Sequence, residues 1–198
     1  VLKVLEEAGI PIDYIAGTSM GSLVGALYAI GYDAHTMDSL VRRQDWTFLL
    51  SDKVYRYNLP FSEKEETEKY LVSVPIKNNR EIKIPSGFIS GQNIYNLFSD
   101  LTIGYHDSLD FKKLPIPFAC VASNLVDGQE VIQDCGVLPL AMRASMAIPG
   151  AFAPVRKDGM VLVDGGISNN FPVDIAKAMG ADIIIGVDVQ AELKDASG

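Results

Sequence analysis

Three observations predict an α/β fold built on a mostly parallel sheet. Apolar runs of strand length alternate with helical patterns at both ends of the chain, which is the order expected when helices cover a sheet. The run from Ile183 to Val189 is rich in β-branched apolar residues, as in a parallel strand covered on both faces. Between Trp46 and Asp110 the pattern is more mixed, and we interpret this region as an insertion within one domain that spans residues 1–198.

The amino-terminal elements surround a sharp predicted turn. Residues Val1 to Gly9 have the apolar face and the terminal glycine of the second half of a helix, so we expect the natural chain to extend upstream. Ile12 to Ala16 predicts a buried strand, and Met20 to Ile30 predicts a helix that ends at Gly31. Many residues of that helix are small, which favours close packing against the sheet.

The remaining elements follow from periodicity and from turn residues. Helices are predicted for 62–74, 90–101, 137–145 and 173–179, and strands for 117–122, 129–133 and 160–163. The Asp127-Gly128 pair predicts a two-residue hairpin turn between the first two of these strands. That register would place Cys120 opposite Cys135. We expect two neighbouring free thiols there, because the Cβ separation across a ladder exceeds what a disulfide prefers.

Composition excludes several classes of protein. The chain is 48% hydrophobic and carries a formal net charge of -8, which suits a globular domain and argues against a nucleic-acid-binding protein. Contact with an anionic lipid surface would have to be apolar rather than electrostatic. No apolar run approaches the roughly 20 residues of a membrane-spanning helix, and the start of the chain lacks the pattern of a signal peptide. With two cysteines, two histidines and no CxxC motif, neither a metal nor a cofactor is expected.

The segment Gly17-Thr18-Ser19-Met20-Gly21 carries the strongest catalytic signal. It is a GxSxG sequence between a predicted buried strand and a predicted helix, which is the context of a nucleophile turn; the alternative is a chance match. Such a turn strains the serine backbone, and we expect glycines on both sides to remove side chains that would clash. The helix that begins there favours negative charge, so Met20 N–H can donate to the oxyanion of a tetrahedral intermediate.

A serine nucleophile needs a base, and the histidines are poorly placed for that role. No histidine follows His106, although an ordinary α/β-hydrolase has its histidine after the serine and the acid. His35 has the context of a solvated turn residue. A carboxylate is available instead, because Asp164 ends an apolar strand and is followed by Gly165 and Gly166. Those glycines permit the close approach of another backbone, although Asp-Gly is also common in ordinary turns.

Three segments, in this order, resemble a known family. GTSMG at 17–21, ASMAIPG at 144–150 and DGG at 164–166 are similar to motifs of the patatin-like phospholipases. NNFPV at 169–173 and IIIGVD at 183–188 also look like segments of bacterial members. The resemblance covers nearly the whole chain and is weakest in the predicted insertion. It implies a three-layer α/β/α fold and a cofactor-free enzyme that hydrolyses fatty-acyl esters.

The resemblance further implies a Ser-Asp dyad. Ser19 matches the family's nucleophile and Asp164 its base, so Asp164 would take the Ser19 proton as the serine attacks an ester carbonyl, and water would later release the fatty acid. The family's glycine-rich oxyanion loop and first central strand would lie upstream of Val1. Met20 N–H is then the oxyanion donor that this chain itself supplies. The expected partner is a lipid or acyl ester, with peripheral membrane contact as a further expectation.

Two other functions are compatible with parts of the pattern. A catalytically silent lipid-binding or regulatory module could share the fold, but it would have no physical need for both Ser19 and Asp164. An acyltransferase can also use a serine in GxSxG, but such enzymes normally pair it with a histidine. The pattern does not distinguish among phospholipid, lysophospholipid, acylglycerol and thioester substrates, and it makes no statement about oligomeric state or cellular location.

Overall fold

Short helices and strands alternate through the described residues, 1–52 and 87–189, of a computed structural model. The helices there are α1 Leu2–Glu7, α2 Met20–Ala29, α3 Ala34–Arg43, α4 Trp46–Leu49, α5 Gln92–Leu101, α6 Leu138–Ser145 and α7 Val173–Met179. The strands are β1 Ile15–Thr18, β2 Gly87–Ile89, β3 Leu109–Asp110, β4 Phe118–Asn124, β5 Glu130–Gln133, β6 Cys135–Gly136, β7 Gly150–Phe152, β8 Val155–Lys157 and β9 Met160–Asp164. The helix predicted for 62–74 lies outside the described residues. Within them, no helix has both the length and the apolar character needed to cross a membrane.

Strand β4 is the centre of the fold, because all 7 of its residues are buried. Phe118 and Cys120 belong to the main hydrophobic core, to which α2, α5 and α6 contribute. Since side chains alternate along a strand, Ala119 and Val121 point to the opposite face, where Ile175 of α7 packs. Helices therefore cover both faces of the sheet, which confirms the expected three-layer α/β/α architecture.

The central sheet is mixed. β1 pairs with β4 in parallel, with Ile15 opposite Phe118 at one end and Thr18 opposite Val121 at the other. β5 and β9 both run antiparallel to β4, and β8 continues the sheet beyond β9. Smaller two-stranded sheets join β2 to β7 in parallel and β3 to β6 in antiparallel orientation. β9, which ends at Asp164, therefore runs antiparallel to β1, although a mostly parallel sheet would give these two strands the same direction.

Helix α2 packs closely on the sheet, as its small residues predict. A Cβ atom on Gly25 would lie 2.8 Å from Ile15 Cγ2 and 3.1 Å from the Phe118 ring, closer than ordinary van der Waals contact. The helix begins at Met20, as predicted, and ends at Ala29, one residue before the predicted end. This close packing holds the amino-terminal end of α2 against the end of β1, where the serine of the GxSxG sequence lies.

The segment from Ile183 to Val189 forms no strand, so the prediction of a buried parallel strand there is wrong. Four of its five apolar side chains are exposed, Ile184 being partly buried, and Ile183 reaches 87% exposure. β-Branched residues favour a strand mainly because their side chains pack well against neighbouring strands, and they do not form a strand without such neighbours. Among the described residues no strand pairs with this segment, so its backbone lacks the ladder that would define a strand.

The loop between β4 and β5 is longer than the predicted two-residue turn. Asn124 N–H donates to Gln129 O at 2.9 Å, and Gly128 N–H donates to Asn124 O at 2.8 Å, so four residues, 125–128, form the loop. Asn124 Oδ1 also accepts a hydrogen bond from Val126 N–H at 3.3 Å. Side chains of Asn commonly stabilise turns in this way, and here the extra bond favours the longer loop.

The longer loop moves the hairpin register by two residues and separates the cysteines. Cys120 lies opposite Gln133, whereas Cys135 lies in β6 opposite Asp110. The predicted Cys120–Cys135 pairing is therefore wrong. Both thiols are free, as expected, although the two cysteines are not cross-strand neighbours.

Candidate active site

Ser19 lies at the turn between β1 and α2, where the backbone takes an unusual conformation. Its dihedral angles are φ 53° and ψ -119°, a region that residues with a side chain rarely adopt. In the described part of the chain, Asp158 is the other non-glycine residue with a positive φ. Strain of this kind persists only where the surroundings hold the backbone. The strained turn predicted from GxSxG is therefore present at Ser19.

The two glycines of GxSxG differ in their surroundings. A Cβ atom on Gly17 would overlap the backbone of Gly21 and would lie 2.8 Å from Ser22 N, so the turn requires glycine at this position. A Cβ atom on Gly21 would meet nothing within 4 Å among the described residues. The expectation of a steric clash is thus confirmed for Gly17 and wrong for Gly21, which instead borders open space beside the serine.

The carboxyl ends of strands β1 and β9 face each other along one edge of β4. Val121 pairs with Thr18 of β1 and also with a residue of β5. The next residue, Ala122, pairs with Asp164 of β9 and also with β5. Because a strand has two edges and β5 occupies one, β1 and β9 share the other. Their carboxyl ends therefore abut, which brings Asp164 beside Ser19 although the two strands run in opposite directions.

Ser19 and Asp164 are joined by a short hydrogen bond. Ser19 Oγ donates to Asp164 Oδ2 at 2.6 Å, which confirms the expected contact between these side chains. The other carboxylate oxygen, Oδ1, accepts from Gly166 N–H at 2.7 Å. Asp164 is buried and Ser19 is partly buried. Both carboxylate oxygens thus have a donor, and Oδ2 is directed at the serine hydroxyl.

The glycines after Asp164 allow this close approach. A Cβ atom on Gly165 would overlap the carbonyl group of Val121 and would lie 3.0 Å from Thr18 Cγ2. A Cβ atom on Gly166 would lie 2.9 Å from Asn170 Oδ1 and 3.0 Å from Asp164 Oδ1. A side chain at Gly165 would displace backbone next to the carboxylate, and a side chain at Gly166 would displace the Asp164 or Asn170 side chain. The close approach of neighbouring groups that the sequence predicts at these glycines is therefore present.

The amide groups at the start of α2 are arranged around Ser19. Ser19 N–H donates to Ser145 Oγ at 3.0 Å, so it is already engaged. Met20 N–H makes no hydrogen bond with the described residues, and the Met20 side chain is exposed. A free amide at the positive end of a helix is suited to stabilise an anion. Met20 N–H is thus an available donor beside the serine.

Neither histidine contacts Ser19 or Asp164. The His106 ring is exposed and its Nε2 lies 2.8 Å from Ser99 O. His35 lies in the first turn of α3 and is exposed, so it belongs to a helix rather than to the turn predicted for it. The structure brings together the serine and the aspartate, and it leaves both histidines in surface positions.

Sequence reasoning missed several polar groups that hold the turn. Ser22 Oγ donates to Ser19 O at 2.6 Å, and Thr18 Oγ1 donates to Asn169 O at 2.8 Å. The Ser145 hydroxyl is fully buried and bonds the backbone of β4 as well as that of Ser19. The segments at 144–150 and 169–173 resemble family motifs, but the sequence itself does not indicate which backbone group a hydroxyl contacts.

Comparison with known proteins gives a consistent result. Patatin-like phospholipase domain-containing protein 6 of Mus musculus is 31% identical over 195 residues, which cover 97% of this chain and 12% of that protein. A lysophospholipase of Aspergillus fumigatus is 32% identical over 189 residues, covering 96% of this chain and 11% of the relative. The chain therefore spans about an eighth of the length of these relatives. The patatin-like phospholipase family model matches residues 1–177, and the chain belongs to that family.

Proposed function

We propose that the chain is a lipid acyl hydrolase in which Ser19 is the nucleophile and Asp164 is the base. The observation that carries the proposal is the 2.6 Å hydrogen bond from Ser19 Oγ to Asp164 Oδ2. This bond forms at a strained turn between a strand and a helix, the setting in which serine nucleophiles occur. Membership of a phospholipase family supports an ester of a fatty acid as the substrate.

In the first half of the reaction, Ser19 Oγ attacks the ester carbonyl carbon while Asp164 Oδ2 accepts the hydroxyl proton. The carbonyl oxygen becomes an oxyanion in the tetrahedral intermediate. When the intermediate collapses, the bond to the leaving oxygen breaks and Asp164 returns the proton to that oxygen. The products are a free alcohol, such as a lysolipid or a glycerol derivative, and an acyl group on Ser19.

In the second half, water takes the place of the alcohol. Asp164 accepts a proton from the water as its oxygen attacks the acyl carbon, and the proton then returns to Ser19 Oγ as the acyl bond breaks. A free fatty acid leaves. The Gly166 amide, which bonds Asp164 Oδ1 at 2.7 Å, holds the carboxylate in one orientation through both halves.

A carboxylate is a weak base for an alcohol, so stabilisation of the oxyanion must contribute much of the rate. Met20 N–H is the donor that we assign to this role, because Ser19 N–H is engaged by Ser145. The space beside Gly21, where an added Cβ atom would meet no described residue within 4 Å, lets the ester carbonyl approach the start of α2. Gly21 thus supports substrate access rather than the turn itself.

Exposed apolar side chains next to the dyad support a lipid substrate. Met20 follows the serine, and Ile167 lies in the turn after the aspartate; both are exposed. Ile148, also exposed, follows Ala147, whose carbonyl accepts a hydrogen bond from Asp164 N–H at 2.9 Å. We propose that these side chains contact the acyl chain or the lipid surface from which it is drawn, consistent with relatives named as phospholipase-domain proteins and lysophospholipases.

The experiment is covalent labelling of the natural full-length protein with a fluorophosphonate probe, together with measurement of fatty acid released from phosphatidylcholine and lysophosphatidylcholine. We expect labelling at Ser19 and loss of both labelling and release in Ser19→Ala. Ser108→Ala, which removes an exposed serine, serves as the matched control and should retain both. Vesicle binding without labelling or release would show a silent lipid-binding module and would overturn the proposal.

A further inference from the structure

The Ser145 hydroxyl occupies a position where a backbone hydrogen bond of the sheet would otherwise form. In the parallel pair of β1 and β4, Ile15 N–H donates to Pro117 O at 3.0 Å. Donors and acceptors of a parallel ladder recur at every second residue. Four residues further along both strands, the same pattern would have Ser19 N–H donate to Val121 C=O. Instead, the chain turns away at the end of β1, and the two groups do not bond directly.

A single oxygen atom bridges the gap. Ser19 N–H donates to Ser145 Oγ at 3.0 Å, and Ser145 Oγ donates to Val121 O at 2.6 Å. The hydroxyl therefore uses its acceptor and its donor capacity to join the two ladder groups that the turn has separated. Ser145 is the last residue of α6 and is fully buried, so bulk water does not compete for either bond.

We propose that Ser145 is a positioning residue for the reaction, an inference that rests on the proposed function. Its bridge allows the chain to leave the ladder at Ser19 while the Ser19 nitrogen stays tied to β4. Fixing that nitrogen helps to hold φ at 53° and so sets the direction of the Cα–Cβ bond that carries Oγ to Asp164. The bridge also engages Ser19 N–H, so that this amide is not available to an oxyanion, whereas Met20 N–H is.

A matched pair of variants separates positioning from stability. Ser145→Ala removes the bridge, whereas Thr102→Val removes another fully buried hydroxyl that donates to Phe98 O at 2.7 Å, away from the dyad. Ser145→Ala loses two buried hydrogen bonds and Thr102→Val loses one, so we expect both variants to lower the denaturation midpoint, and Ser145→Ala to lower it more. Because an unsatisfied amide at Ser19 favours another backbone geometry, kcat of Ser145→Ala should fall about ten- to hundredfold with KM nearly unchanged.

Thr102→Val should keep the kcat of the unmodified protein. A kcat of Ser145→Ala within about twofold of that value, after correction for the folded fraction, would overturn the positioning role, since a twofold change is smaller than one lost hydrogen bond would cause. If Ser145→Ala does not fold, Ser145→Cys tests the positioning role instead. Sulfur forms longer hydrogen bonds than the 2.6 Å contact to Val121 O, so kcat should fall here too, and an unchanged kcat would refute the bridge.

A crystal structure of either Ser145 variant provides a readout that does not depend on activity. We expect Ser19 N–H to turn toward Val121 O and the Ser19 Oγ–Asp164 Oδ2 separation to exceed hydrogen-bond distance. An unchanged Ser19 backbone would contradict the inference. If the unmodified protein releases no fatty acid and Ser19 is not labelled, the proposed function fails, while this structural comparison still tests whether Ser145 holds the turn.

Discussion

At the scale of single residues, the contact between Ser19 and Asp164 is specific because each carboxylate oxygen has one donor. Oδ2 accepts the serine hydroxyl and Oδ1 accepts the Gly166 amide. A neutral amide side chain in place of the carboxylate could accept a hydrogen bond with one oxygen only, and it could not take the serine proton. The chemistry we propose for the pair therefore depends on charge as well as on shape.

We predict that Asp164→Asn lowers kcat at least about a thousandfold, because the two residues act as one unit. For the same reason, the double variant Ser19→Ala/Asp164→Asn should be little worse than either single variant. Steady-state hydrolysis of lysophosphatidylcholine measures both effects, and circular dichroism checks that each variant is folded. Retention of most activity by Asp164→Asn would show that the dyad is assigned wrongly.

We also predict that neither histidine is required for hydrolysis. His106 contacts Ser99 O on the surface and His35 lies in α3, so neither reaches the serine. His35→Ala and His106→Ala should both retain kcat and the same dependence of kcat/KM on pH. The measurement is a pH profile of each variant beside the unmodified protein; a profile whose acid limb disappears in His106→Ala would contradict the prediction.

At the scale of elements, the two free cysteines have opposite environments. Cys120 lies within β4, where burial raises the pKa of its thiol to about 12, and Cys135 lies exposed in β6. A raised thiol pKa disfavours the reactive thiolate at neutral pH, and burial blocks access as well. The same residue type therefore differs in reactivity because of the strand that carries it.

We predict that a maleimide reagent modifies Cys135 and leaves Cys120 unmodified in the native protein. Unfolding in guanidinium should make both thiols reactive, because it removes the burial that protects Cys120. Peptide mass spectrometry after timed labelling gives the two rates, and Cys135→Ser is the control that should abolish native labelling. Equal rates at the two positions would show that β4 is not buried as described.

Elements were predictable where local pattern and local contacts agree. The bounds predicted for α2 and α7 match within one residue, because apolar spacing and terminal glycines act within each helix. The run from Ile183 to Val189 was misassigned because a strand depends on a neighbour that its own residues do not encode. The hairpin register failed because one side chain, Asn124, stabilises a longer loop. The Ser145 contact depends on α6 meeting β4, a relation between distant segments.

At the scale of the whole chain, charge and the exposed apolar side chains should affect the proposed lipid contact in different ways. The formal net charge is -8, which repels anionic membrane surfaces over about one Debye length. The apolar side chains beside the dyad, Met20, Ile148 and Ile167, are exposed and favour insertion among acyl chains. Association with a lipid surface should therefore be driven by apolar contact and opposed by charge.

We predict that the protein binds vesicles of phosphatidylcholine better than vesicles rich in phosphatidylglycerol at low salt. Added salt should reduce the difference because it screens the repulsion. Met20→Ser should weaken binding to both kinds of vesicle. The matched control is Val126→Ser, at an exposed apolar position in the β4–β5 loop, which should not weaken it. Sedimentation with vesicles measures each case, and stronger binding to the anionic vesicles would contradict the prediction.

β1 and β9 both pair with β4. The register of each strand on β4 therefore sets the separation between Ser19 and Asp164. A slip of either strand by two residues would keep the same side chains on each face of the sheet, yet it would move Ser19 or Asp164 by about 7 Å. Such a molecule would keep the same alternation of side chains between the two faces, and optical probes of secondary structure would not report the change in register. Fluorophosphonate labelling would distinguish it, because an intact reaction requires both strands to be in register with β4.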